Sequence, residues 1–424
     1  MALPSDHKMG LKPVLKLPQI VALYIGSVVG SGILLIPGMA AEIAGPASIL
    51  AWLAMSVLVV PMGVTMGLLA SKYPSSGGVA HFAKLAFGAH YGRLVGWFFL
   101  LSVPLGGAVL TLTGANYIGI VLNWGNDQIY TAAALLTIVP LLLNVFGLKL
   151  AGKVQTVVIV SIIAILLLAI CAAIPYQSAQ NFTPFVPNGW LSVVKAAGLL
   201  FWCFIGWEAV THLSSEFVDP ERDAIRGVLW SAGIVALLYF AVAYFTIATG
   251  SYVGEGSAAS LSVMVQLALG KAGGWIVAIA ALFICFATHN AYFSAASRVA
   301  YTLAKDGAAP KMLGLLHRRY GTPVGGLLFV GGGSLLTLVL LYSKVVTLAQ
   351  LIEWPNATFI AIYIAGCLAG VRLLKGHKFG RACAFISLGS TLCLYPFLGW
   401  SALYPPAIAV IVYLFHCKKG LKLS

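Results

Sequence analysis

Charge is scarce in this sequence. Of 424 residues only 8% are Asp, Glu, Lys or Arg, while 60% are apolar. A soluble globular domain carries roughly 25% charged residues, so too little polar surface is left to face water. No charged residue occurs in Val154–Val194, Gly227–Gly254, Tyr320–Ser343 or Ala382–Cys417. A spanning helix needs about 20 apolar residues, and each stretch supplies one or two. The chain reads as an all-α integral membrane protein.

Other absences narrow the function. The seven cysteines include no CxxC or metal-like spacing, which argues against a disulfide framework or a metal site. A net charge of +14 suggests a nucleic-acid partner, but the basic residues sit in short clusters between apolar spans and form no basic domain. No nucleophile–base pair or phosphate-cradling loop is apparent, so neither an enzyme nor a bound cofactor is expected. No repeated ring of charges or carbonyls marks an ion filter, which disfavours a channel. Lys8, Lys12 and Lys16 precede an apolar stretch, Leu17 to Met39, longer than a signal-peptide core, and it reads as a first helix.

What is present is a series of apolar segments divided by breakers. Twelve spans are expected, at about 17–39, 47–71, 92–122, 129–147, 154–175, 191–214, 225–250, 273–303, 324–342, 345–371, 382–397 and 400–416. Polar or Gly/Pro-rich segments, among them 73–89 and 251–270, separate them. With the N-terminus in the cytoplasm and the spans alternating, all but Lys195, Lys271 and Lys344 of the 25 basic residues fall inside. An even number of spans with both termini cytoplasmic follows.

The first span carries Gly26-Ser27-Val28-Val29-Gly30-Ser31-Gly32. Gly26 and Gly30 form a GxxxG face suited to helix packing. The same glycines also let a helix break near mid-membrane, where freed N–H groups can hold an anion. The sixth span combines Phe201-Trp202-Cys203-Phe204-Ile205-Gly206-Trp207-Glu208. An intramembrane acid usually faces a cavity or a partner, so Glu208 is either a proton site or paired with His212, one turn later. Breaks in spans one and six suit two five-helix inverted repeats, 17–175 and 191–371, with two extra helices at 382–416, all in one transporter domain. Glu42 and Lys195 belong near the outer interface, and Glu353 near the surface or an outer vestibule. His289 reads as a hydrogen-bonded packing residue. Glu216, Asp219, Glu221, Arg222 and Asp223 read as a solvated loop.

Several segments together resemble the amino acid–polyamine–organocation transporter superfamily: Gly30-Ser31-Gly32-Ile33; then Tyr73-Pro74-Ser75-Ser76-Gly77-Gly78-Val79-Ala80-His81-Phe82; then Ser297-Arg298-Val299-Ala300-Tyr301, Lys305-Asp306-Gly307, Pro310 and Thr322-Pro323. Within it, Gly77–Phe82, Phe201–Gly206, Glu208, His212-Leu213 and Ser215-Glu216-Phe217 are similar to bacterial exporters of methionine and branched-chain amino acids. The resemblance implies that Ser31 and Gly32, next to Gly30, offer backbone donors to a substrate carboxylate. It implies that carbonyls near Ile25 and Ile205, beside Gly206, face the amino group. Trp202, Trp207 and Tyr292 would be gates or pocket walls. Some relatives carry a lysine in mid-helix five in place of sodium. Val157–Ile163 has none, which supports neither that device nor sodium coupling. A secondary transporter of neutral hydrophobic L-amino acids in a bacterial inner membrane is expected, working as an exporter or antiporter. An amino acid or polyamine exchanger is the alternative.

Overall fold

The computed structural model describes residues 13–254 and 260–418. Lys8, Lys12, Lys419 and Lys422, which belong to the expected cytoplasmic charge, lie outside them. The described residues form helices linked by turns, and the one bridge between extended backbones joins Leu15 to Phe217. The helices are α1 (Leu17–Val28), α2 (Gly32–Ala44), α3 (Ser48–Lys72), α4 (Gly78–Phe87), α5 (Ala89–Leu122), α6 (Asn126–Val145) and α7 (Leu148–Ala173). They continue as α8 (Trp190–Leu200), α9 (Trp207–Thr211), α10 (Pro220–Ala248), α11 (Ser260–Lys305), α12 (Val324–Tyr342), α13 (Leu348–Leu373), α14 (Lys378–Leu394) and α15 (Tyr404–Lys418).

Among the described residues nine helices are long and apolar enough to cross a membrane, and the chain is a multi-pass membrane protein. The bent pair Lys378–Leu394 and Leu398–Leu414, folded through 113°, makes a tenth if counted as one span. Twelve expected spans differ from this count at the two ends. The first span is split into α1 and α2, and α2 runs through one 3-10 turn into α3. The last two spans are helices of 17 and 15 residues, bent apart where Gly399 takes a positive φ. Two segments expected as connections are also helical. One is α4. The other is the start of α11, which kinks at Gly270 (φ 54°).

The first break uses its glycines in two ways. At Gly26 a side chain would run into the amide of Gln155 on α7, so this glycine serves packing. The interruption comes three residues later. Val29 leaves helical geometry (φ −76°, ψ 78°), its N–H still reaching the Ile25 carbonyl at 2.7 Å. The Gly30 N–H turns back onto Val28 O at 2.8 Å.

The second break follows α8 through one 3-10 turn, Phe201–Phe204, and an extended Ile205. Gly206 then takes φ 138°, a region that side chains disfavour. A Cβ there would stand 2.6 Å from the Ser27 carbonyl oxygen, and one on Gly32 would stand 2.6 Å from Cys203 Sγ. The two breaks therefore touch. Tyr239 of α10 fastens them, its hydroxyl lying 2.8 Å from Val28 O and 2.9 Å from Cys203 O. The Ser27 hydroxyl donates to Gly206 O at 3.0 Å.

Around the breaks, α11 packs on α5, α7 and α12, while α10 packs on α1 and α3. A buried amide chain locks α6, α7 and α11 together. Asn144 Nδ2 donates to Asn290 Oδ1 and Asn290 Nδ2 to Gln155 Oε1, both at 2.8 Å, and Gln155 Nε2 donates to Ala287 O at 2.9 Å. A fully satisfied chain of this kind rigidifies its surroundings.

At the end of the bundle where α1 begins, Glu216 is not the solvated residue expected. It is 4% exposed, and Arg298 Nε of α11 reaches its Oε1 at 2.7 Å. Burial leaves a charge no choice but a partner. The Val14 and Leu15 N–H groups both donate to Glu216 O, and the Val218 N–H donates to Leu15 O, so the segment before α1 is fastened to the backbone of Glu216. Asp219, Glu221 and Arg222 remain exposed, as expected.

Candidate functional site

Beside the breaks lies a cavity of about 60 Å³. The first break contributes Ser27, Val28 and Gly30–Gly32, and the second Trp202 and Ile205. Helix α5 supplies Ser102, Val103, Gly106, Gly107 and Leu110. Thr288, His289, Tyr292 and Phe293 come from α11, and Phe359 from α13. None of these residues is charged. The polar groups are hydroxyls, one imidazole, the Trp202 indole and backbone.

The N-terminus of α2 is the strongest polar feature of this wall. The first N–H groups of a helix have no intrahelical acceptor and carry the positive end of its dipole. Here the Ile33 and Leu34 N–H groups bond back to the Gly30 and Ser31 carbonyls at 3.3 and 3.1 Å. The Ser31 and Gly32 N–H groups have no acceptor among the described residues. Nearby, the Ile205 carbonyl accepts no hydrogen bond among the described residues, whereas the Ile25 carbonyl is occupied by Val29. The arrangement offers donors for a carboxylate and, a short distance away, an acceptor for an ammonium group.

Glu208 is fully buried but does not line the cavity. Tyr292 donates to its Oε1 at 2.9 Å, and Tyr363 of α13 donates to its Oε2. The Gly206 N–H adds a bond to Oε2 at 2.9 Å. The Tyr363 oxygen also accepts from the Gly206 and Trp207 N–H groups, both at 3.1 Å. The carboxylate thus closes the start of its own half-helix. It does not pair with His212, whose ring instead packs on Phe99 at 4.4 Å. Phe99, Tyr292 and Phe359 form a three-ring cluster with centroids 5.7–6.0 Å apart. Arg298 follows Tyr292 by six residues on α11, about 9 Å along the axis.

Of the residues expected at the site, Gly30, Ser31, Gly32, Trp202, Ile205 and Tyr292 line the cavity together. Ile25, Gly206 and Trp207 do not. Ile25 sits inside α1. Gly206 lies against Ser27, and the fully buried Trp207 packs on Tyr24 at 5.8 Å, behind the break. The α5 and α13 contributions were absent from the expected set. A trace of the former is present in Ser102-Val103-Pro104 and Gly106-Gly107, a cluster of breakers inside an otherwise apolar span. Glu42, Lys195 and Glu353 are exposed and away from the cavity. Among the described residues no cluster of His, Cys, Asp and Glu could hold a metal ion.

Comparison with known proteins agrees with this architecture. The amino acid permease family model matches residues 15–415. The uncharacterized amino acid permease YecA of Bacillus subtilis is 34% identical over 399 residues, 94% of each chain. The L-methionine/branched-chain amino acid exporter YjeH of Escherichia coli is 32% identical, covering 93% of this chain and 94% of that one. The branched-chain amino acid permease BcaP of Bacillus subtilis is 24% identical, covering 99% and 96%. These relatives are permeases, not enzymes.

Proposed function

The chain belongs to the amino acid permease family, and from that premise we propose a secondary transporter of neutral, hydrophobic L-amino acids: methionine, leucine, isoleucine and valine. One observation carries the reading. Two unpaired N–H groups at a helix N-terminus, Ser31 and Gly32, face a cavity without a charged side chain. The substrate carboxylate binds there, where backbone donors and the dipole both favour it, and the ammonium group takes the Ile205 carbonyl. The side chain then meets an apolar wall, which disfavours a cationic substrate. The exchanger alternative requires Glu208 to read a cation, and its oxygens are engaged by Tyr292, Tyr363 and Gly206.

Transport needs the cavity to open toward each side of the membrane in turn. Opening toward the start of α1 parts the ring cluster of Phe99, Tyr292 and Phe359 and releases Glu208 from its tyrosines. Protonating Glu208 turns one of its acceptor oxygens into a donor and loosens that grip, which ties opening to proton uptake. Trp202 gates the cavity, and Trp207 supports the break from behind. We place the chain in a bacterial inner membrane with both termini cytoplasmic, working as an exporter by antiport. The charge pattern supports that orientation, and the export direction rests on the name of the Escherichia coli relative alone.

Counterflow in proteoliposomes tests the reading. Trans-accelerated, saturable uptake of labelled methionine and leucine is expected. Exchange of arginine or agmatine in preference to these would install the exchanger alternative, and flux without saturation or counterflow would make the protein a channel.

A further inference from the structure

One cavity wall carries a polar group that the proposed binding of carboxylate and ammonium leaves unused. His289 of α11 is 1% exposed, and among the described residues neither ring nitrogen makes a well-aligned hydrogen bond, the backbone it approaches being that of Gly107. The packing expected from the sequence is there, against Phe293 and Gly107, but no well-aligned hydrogen bond accompanies it. A buried polar group without a partner costs free energy, so its retention in the cavity wall calls for a ligand. The ring is held edge-on by Phe293, centroids 4.0 Å apart, and its Cε1 edge meets α5 at Gly107. A Cβ on Gly107 would lie 3.1 Å from His289 Cε1 and 2.8 Å from Ser334 Oγ, a second buried atom without a partner. Only a glycine lets both groups approach. The residue before it, Gly106, also lines the cavity, and a Cβ there would meet nothing within 4 Å. The cavity therefore has open space over Gly106, bordered by an imidazole.

We infer that the space over Gly106 receives the substrate side chain, and that His289 is a specificity-determining residue whose ring N–H favours the thioether of methionine over a purely aliphatic chain. A neutral imidazole always has one N–H to offer, and a thioether sulfur is a weak acceptor. Methionine is long enough and unbranched enough to enter a slot of this shape, and its sulfur also suits the adjacent Phe293 ring. Leucine, isoleucine and valine fill the apolar part of the space but leave the imidazole unpaired. The inference rests on the proposed carboxylate site, because that site sets the direction of the side chain.

Norleucine has nearly the shape of methionine without the sulfur, which makes it the probe. Competition against labelled methionine counterflow is measured for methionine and norleucine in wild type, His289→Leu and His289→Gln. Wild type should favour methionine by roughly two- to tenfold, the range of one net hydrogen bond. His289→Leu should remove that preference, and His289→Gln, which keeps a donor, should retain part of it. Gly106→Val should weaken methionine and norleucine alike by filling the space, and weaken valine less. Equal competition in wild type overturns the inference, even if His289→Leu proves inactive. So does an undiminished preference in His289→Leu, which would assign it to Phe293. Failure of wild type to exchange either amino acid would instead defeat the transport reading beneath it.

Discussion

At the first break the Ser31 and Gly32 N–H groups have no acceptor among the described residues and border the cavity; at the second, the Gly206 and Trp207 N–H groups are taken by the Tyr363 hydroxyl and the Glu208 carboxylate. Both breaks rest on glycine and lie against each other through Ser27, Gly32, Cys203 and Gly206. They differ in what occupies the freed donors. A carboxyl two residues into α9 fills its own start, so that end has nothing left for a second anion. The corresponding positions of α2 hold Gly32 and Ile33, which cannot do this. An open helix start leaves donors free; a self-filled one fastens. In the proposed transport reading, the same element serves a ligand in one place and conformation in the other.

This contrast can be broken by mutation, and the largest effect is expected where the breaks touch. Gly206→Val places a side chain on the Ser27 carbonyl at an unfavourable φ, and transport should be abolished with a clear loss of thermal stability in detergent. Arg298→Ala strands the buried Glu216. It should destabilise the closed arrangement by about 3–5 kcal/mol, read as a lowered melting temperature and faster access of a thiol reagent to a cysteine placed at Thr211. Ser31→Pro sharpens the ligand side. Ser31 already has φ −55°, which proline adopts, so the change removes one donor without recasting the backbone. The KM for methionine should rise roughly tenfold or more, as for a hydrogen bond to a charged group, with protein stability unchanged. Glu208→Gln should leave the KM nearly unaltered while slowing turnover and flattening the dependence of transport on pH; an untouched pH profile would remove the proton role. Ser31→Ala should do least, a change in KM below about threefold, because alanine keeps the N–H.

Much of the frame was legible along the chain because membranes impose a length on apolar runs. The charge-free stretches became α7, α10, α12 and the α14–α15 pair, and the glycines of spans one and six marked both breaks. Helix α4 escaped because its ten residues are too few for a spanning signal and follow Gly77-Gly78. The burial of Glu216 escaped for a different reason. Its partner, Arg298, is 82 positions away, and local composition around Glu216 is that of an exposed loop. The cavity itself was half legible. Ser31 and Ile205 announce themselves through the breaks they belong to and Ser102 only through the breakers that follow it, whereas His289 and Phe359 lie in continuous helical stretches with no local sign of what they face.

By itself, the sequence determined that this chain is a multi-pass, all-helical membrane protein with helices interrupted at Gly30 and Gly206. Those properties follow from hydropathy and backbone freedom, which act over a few neighbouring residues. Tertiary structure alone decided which interruption stays open. Tyr292 and Tyr363 arrive from α11 and α13 to engage Glu208, and none of the three residues predicts the others by spacing. It also decided that Trp202 faces the cavity while Trp207, five residues on, lies behind it, because the turn at Gly206 redirects the chain between them. Direction in space depends on packing between helices, and a one-dimensional pattern does not carry it.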